Sequence, residues 1–114
     1  MTDCIFCKIA GGEIPSELLY EDDEIIVFRD IHPVAPAHVL IVPRKHIASL
    51  AEIPDAEAAL VGRMTAVANG IARDEGIAET GYRLVINSGK DGGQVVPHLH
   101  MHLLGGEQLR ISLR

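Results

Sequence analysis

Residues 97–104 read Pro-His-Leu-His-Met-His-Leu-Leu, and this alternation of imidazole and aliphatic side chains decides the fold class. Side chains alternate between the two faces of a β-strand, so His98, His100 and His102 are predicted to share one face. The aliphatic residues between them take the other face: Leu99, Met101 and Leu103. We therefore predict a strand at 98–104 with one face in an apolar core and the other face free for chemistry.

A metal site is the main alternative use of this histidine face. The His-x-His spacing is common among metal ligands, and imidazole suits zinc. Catalytic metal sites that act on phosphate usually include carboxylates as well, and the nearest downstream acid, Glu107, follows two glycines. The pattern therefore does not require a catalytic metal, and both uses of the histidines stay open at this point.

The remaining β-branched and aromatic stretches predict further strands. Residues 18–29 form two such stretches around an acidic break at 21–24, which is typical of a hairpin. Residues 39–42 predict a short buried strand that ends at Pro43, and residues 82–87 predict a fourth strand. The strand at 98–104 is then the fifth.

One long helix is predicted between the third and fourth strands. From 55 to 75 the apolar residues recur at spacings of four and three, which is typical of a helix with one buried face. Asp55 is the predicted N-cap and Gly76 the predicted stop. Gly62 and Gly70 inside the helix predict close packing against a flat surface, such as a sheet. The order of elements predicts a single α+β domain over residues 1–114.

Composition and charge restrict the possible partners. A length of 114 residues suits one domain with its own core, and 47% hydrophobic with 23% charged residues is an ordinary globular balance. The net charge of −6 without a basic patch argues against a general grip on nucleic acid. The first ten residues do not resemble an export signal and no apolar run reaches membrane-spanning length, so we expect a cytoplasmic protein without membrane association.

The loop at 87–94, Asn-Ser-Gly-Lys-Asp-Gly-Gly-Gln, joins the last two predicted strands. Its glycines allow the backbone to approach a ligand closely and to offer amide N–H groups to an anion. It is not a P-loop, because Lys90 is followed by Asp91 and a strand follows in place of a helix. Taken alone, the loop could equally be a flexible hairpin connection.

The chain resembles the histidine triad family, whose signature His-φ-His-φ-His-φ-φ, with φ apolar, is matched without a gap at 98–104. Other stretches resemble the nucleotide-binding branch of that family, including Cys-Ile-Phe-Cys-Lys-Ile at 4–9 and Ala-Pro-Ala-His-Val-Leu-Ile-Val-Pro at 35–43. Shorter matches are Glu-Ile-Pro at 13–15, Phe-Arg-Asp-Ile at 28–31, Lys-His-Ile at 45–47 and the loop at 87–94. The resemblance extends over residues 4–106.

The resemblance implies a five-stranded antiparallel sheet with one long helix and a short N-terminal helix, paired as a homodimer with a ten-stranded sheet. It implies a hydrolase that cleaves the P–N bond of purine nucleoside 5′-phosphoramidates, releasing an AMP-type product through a nucleotidyl-histidine intermediate. Two alternatives stay open. One is a dinucleoside polyphosphate hydrolase of a sister branch, and the other is a nucleotide-binding or scaffold protein with vestigial activity.

Position by position, the resemblance makes His100 the nucleophile on the α-phosphorus. A neutral imidazole can attack near pH 7 without a metal, provided that an acceptor holds the N–H of its other nitrogen. The implied catalytic residues are His100, His102, His38 and Gln94. The implied nucleotide-binding residues are Ile5, Phe6, Ile9, Phe28, Asp30, Ile31, Leu40, Asn87, Gly93, Gln94, His100 and His102, with Asp30 on the ribose. Plain core packing is the alternative for Ile9 and Leu40.

Cys4 and Cys7 supply half of a tetrahedral zinc site. The resemblance implies that His46 and His98 complete it, which would give His98 to a structural metal and leave no need for a catalytic one. Two reduced thiols without metal are the alternative. Val95 departs from the family, since many eukaryotic members carry a serine there, and the tail at 107–114 departs as well, so leaving-group preference does not carry over.

Overall fold

The computed structural model describes residues 3–110. The predicted domain limits at 1 and 114 and the last four residues of the tail lie outside the described residues. The elements, in chain order, are α1 (Ile5–Ala10), β1 (Leu18–Glu21), β2 (Ile25–Arg29), β3 (Ala37–Pro43), α2 (Ala59–Asp74), β4 (Tyr82–Val85) and β5 (Met101–Gly105). Two 3₁₀ turns, Leu50–Glu52 and Asp55–Glu57, precede α2.

The five strands form one antiparallel sheet in the order β1-β2-β3-β5-β4. β5 lies between β3 and β4, and its Leu103 pairs with Val39 on one side and Leu84 on the other. This arrangement confirms the predicted five-stranded sheet with one long helix and a short N-terminal helix. It also places the histidine-bearing segment near the middle of the sheet, where neighbouring strands hold it on both sides.

The two faces of the sheet have different partners. α2 covers one face, and the aliphatic residues of the histidine segment, Leu99, Met101 and Leu103, are buried in that larger apolar cluster. α1 covers part of the other face through a smaller cluster that includes Phe6 and Phe28. The histidines lie on this second side, so the predicted division between a core face and a chemistry face is confirmed.

β5 begins at Met101, three residues later than predicted, and its last ladder pair with β3 joins Met101 to Ile41. The backbone before Met101 bonds outside this ladder, since the N–H of His98 donates to the carbonyl of Val96 at 2.8 Å and the N–H of Leu99 donates to the carbonyl of Ile47 at 2.7 Å. The carbonyl oxygen of Pro43 accepts from Nε2 of His98 at 2.8 Å. His98 and His100 therefore sit in an irregular segment that leads into the strand, and they still face the predicted side.

Two predictions about α2 are wrong. Asp55 is not its N-cap: it lies in the second 3₁₀ turn, and α2 begins at Ala59 without a side-chain cap. Gly62 and Gly70 do not pack against the sheet, because a Cβ at Gly62 would meet no atom within 4 Å and one at Gly70 would meet only the Arg73 side chain. The packed face of α2 is instead Leu60, Met64, Ala68, Ile71 and Ala72.

The stop at Gly76 is as predicted, since its φ of +73° directly after the helix is a conformation that glycine adopts most readily. Within residues 3–110, none of the helices combines the length and apolar character that crossing a bilayer would need.

Candidate active site and metal site

A cavity of about 590 Å³ opens on the histidine side of the sheet. Its walls come from α1, the ends of β2 and β3, and the loop that precedes β5. The sequence-predicted residues that line it are Ile5, Phe6, Ile9, Phe28, Asp30, Ile31, His38, Leu40, Asn87, Gly93, His100 and His102. The structure thus brings together all of the predicted nucleotide-binding and catalytic residues except Gln94.

One hydrogen bond fixes both the orientation of the His100 ring and the tautomer of its neutral form. Its Nδ1 lies 2.7 Å from the carbonyl oxygen of His98, which can only accept, so Nδ1 carries the proton. In the neutral ring the lone pair is then on Nε2. The ring lines the cavity, is 6% exposed, and packs edge-on against Phe6 with ring centroids 5.0 Å apart. In its neutral form the ring therefore keeps the Nε2 lone pair available on the side of the protein where the cavity lies.

His38 and His102 form a second imidazole pair beside His100. His38 Nε2 lies 2.9 Å from His102 Nδ1, and the backbone N–H of Val34 donates to His38 Nδ1 at 3.1 Å. Burial, with the neighbouring imidazoles His100 and His38, lowers the pKa of His102 to about 4. Burial also lowers the pKa of His38, against the opposite effect of Asp30. Both rings are therefore neutral near pH 7.

Asp30 stands at the edge of this pair. Its Oδ1 accepts a hydrogen bond from the backbone N–H of His32 at 2.8 Å, and its Oδ2 lies 3.4 Å from His38 Nε2. The carboxylate is partly exposed and lines the cavity. It is placed to accept hydrogen bonds from hydroxyl groups of a ligand.

Gln94 is the predicted catalytic residue that the structure does not place in the cavity wall. Its Nε2 donates to the carbonyl oxygens of Ala48 and Val96 at 2.7 and 2.9 Å, and its Oε1 accepts from the N–H of Gly89 at 2.8 Å. Both amide protons are thereby used. In this structure the side chain braces the loop, while the direct donor role stays a prediction.

A second side-chain hydrogen bond and a close contact between two backbone segments also hold this loop. Asn87 Nδ2 donates to the carbonyl oxygen of Gly92 at 2.8 Å. A Cβ at Gly92 would lie 2.5 Å from the carbonyl oxygen of Ser88, so only glycine fits there. These contacts give the loop the conformation of a hydrogen-bonded turn.

The cavity also contains residues that sequence analysis did not assign to it. His32 and Val34 come from the segment between β2 and β3, and Val95 and Val96 follow Gln94. The others are Ile14, Pro15, Ser16 and Arg29. The Glu-Ile-Pro match to the family at 13–15 could have indicated that the stretch after α1 lies at the cavity. No local sequence pattern indicated that Val34 does.

The four predicted metal ligands converge beside the cavity. The Sγ and Nδ1 atoms of Cys4, Cys7, His46 and His98 all lie within 4.8 Å of one another. His98 Nδ1 is 3.2 Å from Cys4 Sγ and 3.1 Å from His46 Nδ1, and Cys7 Sγ is 3.4 Å from His46 Nδ1. A tetrahedral zinc with ordinary bond lengths gives N···N and N···S edges of about 3.3 and 3.5 Å. The donor set and its dimensions fit zinc.

Outer hydrogen bonds prepare this site for a metal. His98 Nε2 donates to the carbonyl oxygen of Pro43, which leaves the lone pair on Nδ1, the atom that faces the cysteines. Cys4 is also the N-cap of α1, where its sulfur accepts from the N–H of Cys7 at 3.4 Å. A metal held here would tie α1 to the segment that carries His100.

Comparison with known proteins agrees with this fold and site. The model of the HIT domain family matches residues 11–109, and the chain belongs to this histidine triad family. A purine nucleoside phosphoramidase of Escherichia coli K12 is 50% identical over 107 residues, which cover 94% of this chain and 90% of the relative.

Two solved structures are similar over nearly the whole chain. A histidine triad protein from Clostridium difficile is 52% identical with a TM-score of 0.96, covering 98% of this chain and 97% of that one. A zinc-bound histidine triad family protein from Mycobacterium smegmatis is 32% identical with a TM-score of 0.82, covering 98% of this chain and 81% of that one.

Proposed function

We propose that this chain is a hydrolase of purine nucleoside 5′-phosphoramidates, with His100 as its nucleophile. The observation that carries the proposal is the hydrogen bond from His100 Nδ1 to the carbonyl of His98, on a ring that lines the cavity. The similarity to a purine nucleoside phosphoramidase, at 50% identity, supports the substrate class.

The reaction proceeds in two displacements at the α-phosphorus. His100 Nε2 donates its lone pair to phosphorus, the P–N bond breaks, and the amine leaves after taking up a proton from solvent water. The phosphorylated ring is cationic, and its Nδ1–H remains bonded to the His98 carbonyl. Water then attacks phosphorus and gives up a proton to the solvent, the P–Nε2 bond breaks, and a nucleoside monophosphate is released with the neutral ring restored. His102 and the loop amides donate hydrogen bonds to the phosphoryl oxygens as charge develops on them.

The nucleoside half of the substrate binds in the apolar part of the cavity. The base packs between α1 and the sheet, against Ile5, Phe6, Ile9, Phe28, Ile31 and Leu40. Asp30 accepts hydrogen bonds from the ribose hydroxyls. Asn87 and Gly93 hold the phosphate end of the ligand beside His100.

We propose that zinc at Cys4, Cys7, His46 and His98 is structural. When bound, it supplies a cross-link between α1 and the segment before β5, and no chemical step passes through it. A second group, Asp30, His38 and His102, also has ligand atoms within 4.8 Å of one another. His38 Nδ1 already accepts from Val34, so the neutral ring has its proton on Nε2, the atom a metal would need. We therefore propose that no catalytic metal is required.

We propose a homodimer that lies in the cytoplasm and binds neither nucleic acid nor membrane. β4 is an edge strand with an unpaired side in the described part of the chain, and a homodimer that pairs it with its copy would give a ten-stranded sheet. The net charge of −6 supports neither nucleic acid nor membrane as a partner. We propose a cytoplasmic location, where cysteines such as Cys4 and Cys7 stay reduced and available to a metal.

Trapping of the covalent intermediate tests the proposal. Enzyme mixed with adenosine 5′-phosphoramidate is quenched in the steady state and analysed by mass spectrometry, and an adenylyl adduct is expected on the peptide that contains His100. His100→Ala is the control and should give no adduct. An adduct elsewhere, or turnover without one, would contradict the mechanism.

Substrate comparison separates the alternatives. Faster turnover of adenosine 5′-phosphoramidate than of a diadenosine polyphosphate is expected. The reverse order would favour a dinucleoside polyphosphate hydrolase. Tight AMP binding with no turnover of either compound would favour a nucleotide-binding or scaffold role.

A further inference from the structure

We infer that the backbone N–H of Val34 sets the protonation pattern of His38 and His102, and so makes His102 a hydrogen-bond donor toward the phosphoryl group. This inference rests on the proposed function for the identity of the acceptor. The pattern of protons itself concerns the resting protein and can be measured without substrate.

The first step is the contact between Val34 and His38. Val34 lies between β2 and β3, outside the sheet ladder, in a segment that Pro33 and Pro36 keep from pairing. Its N–H points at His38 Nδ1 at 3.1 Å. A donor requires a lone pair opposite it, so neutral His38 has its proton on Nε2.

The second step is the effect of the His38 proton on the tautomer of His102. His38 Nε2–H faces His102 Nδ1 at 2.9 Å, so His102 Nδ1 accepts. A proton on His102 Nδ1 would place two hydrogens in that gap. Asp30 Oδ2, 3.4 Å from His38 Nε2, favours the same arrangement because a carboxylate also needs a donor opposite it.

The third step is the consequence for the cavity. His102 is neutral at pH 7, since burial and its neighbours lower its pKa to about 4. Its single proton is then on Nε2, the nitrogen left free by His38. The rings of His100 and His102 line the same cavity with centroids 5.0 Å apart. One ring presents a lone pair and the other presents a proton.

Two backbone groups therefore give two identical side chains opposite roles. The carbonyl of His98 makes His100 a nucleophile, and the amide of Val34 makes His102 a donor. The residue Val34 is 71% exposed, and the atom that contacts His38 is its backbone nitrogen, so the inferred role belongs to the amide. Val34 is a positioning residue, because it acts on the substrate through two imidazoles.

Nitrogen-15 NMR of histidine-labelled wild-type protein, zinc-loaded and free of substrate at pH 7, tests the pattern directly. Protonated and unprotonated ring nitrogens have well-separated shifts, so each tautomer can be assigned. We expect the proton on Nε2 in both His38 and His102, and on Nδ1 in His100. A proton on Nδ1 of His102 would overturn the inference, whatever the enzyme hydrolyses.

Val34→Pro removes the N–H, and Val34→Ala keeps it while shortening the side chain. Relative to wild type, the proline variant should lose at least about tenfold in kcat with KM changed less than threefold, and its His38 and His102 signals should show mixed tautomers. The alanine variant should keep the wild-type tautomers and lose less kcat. An unchanged kcat in folded Val34→Pro would refute the inference, and if that variant does not fold, the wild-type spectrum decides. Absence of phosphoramidate turnover in wild type would instead count against the proposed function.

Discussion

The ring of Phe6 lies edge-on against His100, with centroids 5.0 Å apart, and it meets His98 in the same way at 5.8 Å. Phe6 belongs to α1, whose N-cap is the metal-site residue Cys4. One aromatic ring therefore touches both the proposed nucleophile, His100, and a predicted zinc ligand, His98. The position of α1, and with it one wall of the cavity, depends on how firmly the metal site holds Cys4 and Cys7.

We predict that zinc supports nucleotide binding without taking part in the reaction. Purified protein should contain about one zinc per chain, and Cys4→Ala should contain little. Because α1 carries Ile5, Phe6 and Ile9, loss of the metal should weaken AMP binding several-fold and lower the melting temperature by several degrees. Metal analysis, calorimetric titration with AMP and thermal unfolding measure the three effects.

Lys8→Ala is the matched control for that experiment, since Lys8 lies on α1 but belongs to neither the metal group nor the cavity wall. It should keep the zinc and the affinity for AMP. Absence of zinc from wild-type protein grown with adequate metal would remove the zinc site from the proposal.

Removal of the nucleophile should separate binding from chemistry. His100→Ala is predicted to lower kcat by at least about 10³-fold, because the substitution removes the nitrogen that is proposed to attack phosphorus. AMP should still bind within about threefold of wild type, since the apolar walls and Asp30 are untouched. Rapid-quench kinetics and titration calorimetry provide the two values, and undiminished turnover would rule out His100 as nucleophile.

Substitution of Asp30 should test whether its carboxylate binds the ribose hydroxyls of the nucleotide. Asp30→Asn keeps an oxygen for the N–H of His32 but removes the charge, so we expect AMP to bind about tenfold more weakly. A nucleotide without ribose hydroxyls should bind wild type weakly and be affected much less by the substitution. Equal losses for both ligands would show that Asp30 acts on the fold or on His38 rather than on ribose.

Titration of His102 should change the free energy of unfolding in a defined direction as the pH is lowered. Its pKa is about 4 in the folded chain against 6.5 ordinarily, so between these values the unfolded chain binds a proton that the folded chain does not. This part of the stability is present above pH 6.5 and is lost as the pH falls toward 4.

We therefore expect the melting temperature to fall between pH 6.5 and 4.5, and to fall less in His102→Gln, whose side chain does not titrate. Both proteins are compared by scanning calorimetry with zinc in excess. Burial lowers the pKa of His38 as well, and we expect that burial to be kept in His102→Gln, so the difference between the two curves should report on His102. Parallel curves would contradict a lowered pKa at His102.

Local sequence patterns predicted the sheet and its two faces well, because strand alternation depends only on neighbouring residues. The start of β5 could not be read in the same way. It depends on the carbonyl of Ile47, which lies outside the sheet and accepts from the N–H of Leu99. The prediction of where α2 starts was wrong for a different reason. A 3₁₀ turn at Asp55–Glu57 precedes the helix, and its residues were included in the predicted helix.

The site was predicted mainly through family resemblance, which supplies positions but not contacts. It placed Gln94 among the catalytic residues, whereas the structure ties that side chain to the carbonyl of Ala48, 46 positions away. The resemblance assigned no role to Val34. Every residue except proline has a backbone N–H, so the sequence does not show which amide contacts His38. Long-range hydrogen bonds of this kind decide side-chain roles, and no periodicity reveals them.

The sheet separates two apolar clusters of unequal size. Among the described residues, the cluster under α2 contains fifteen buried side chains and the one under α1 contains six. The smaller cluster loses less hydrophobic stabilisation when it opens, so the α1 side should open locally while the α2 side stays folded. Warming should therefore inactivate the protein reversibly before it melts, with amide hydrogens of α1 exchanging far sooner than those of α2.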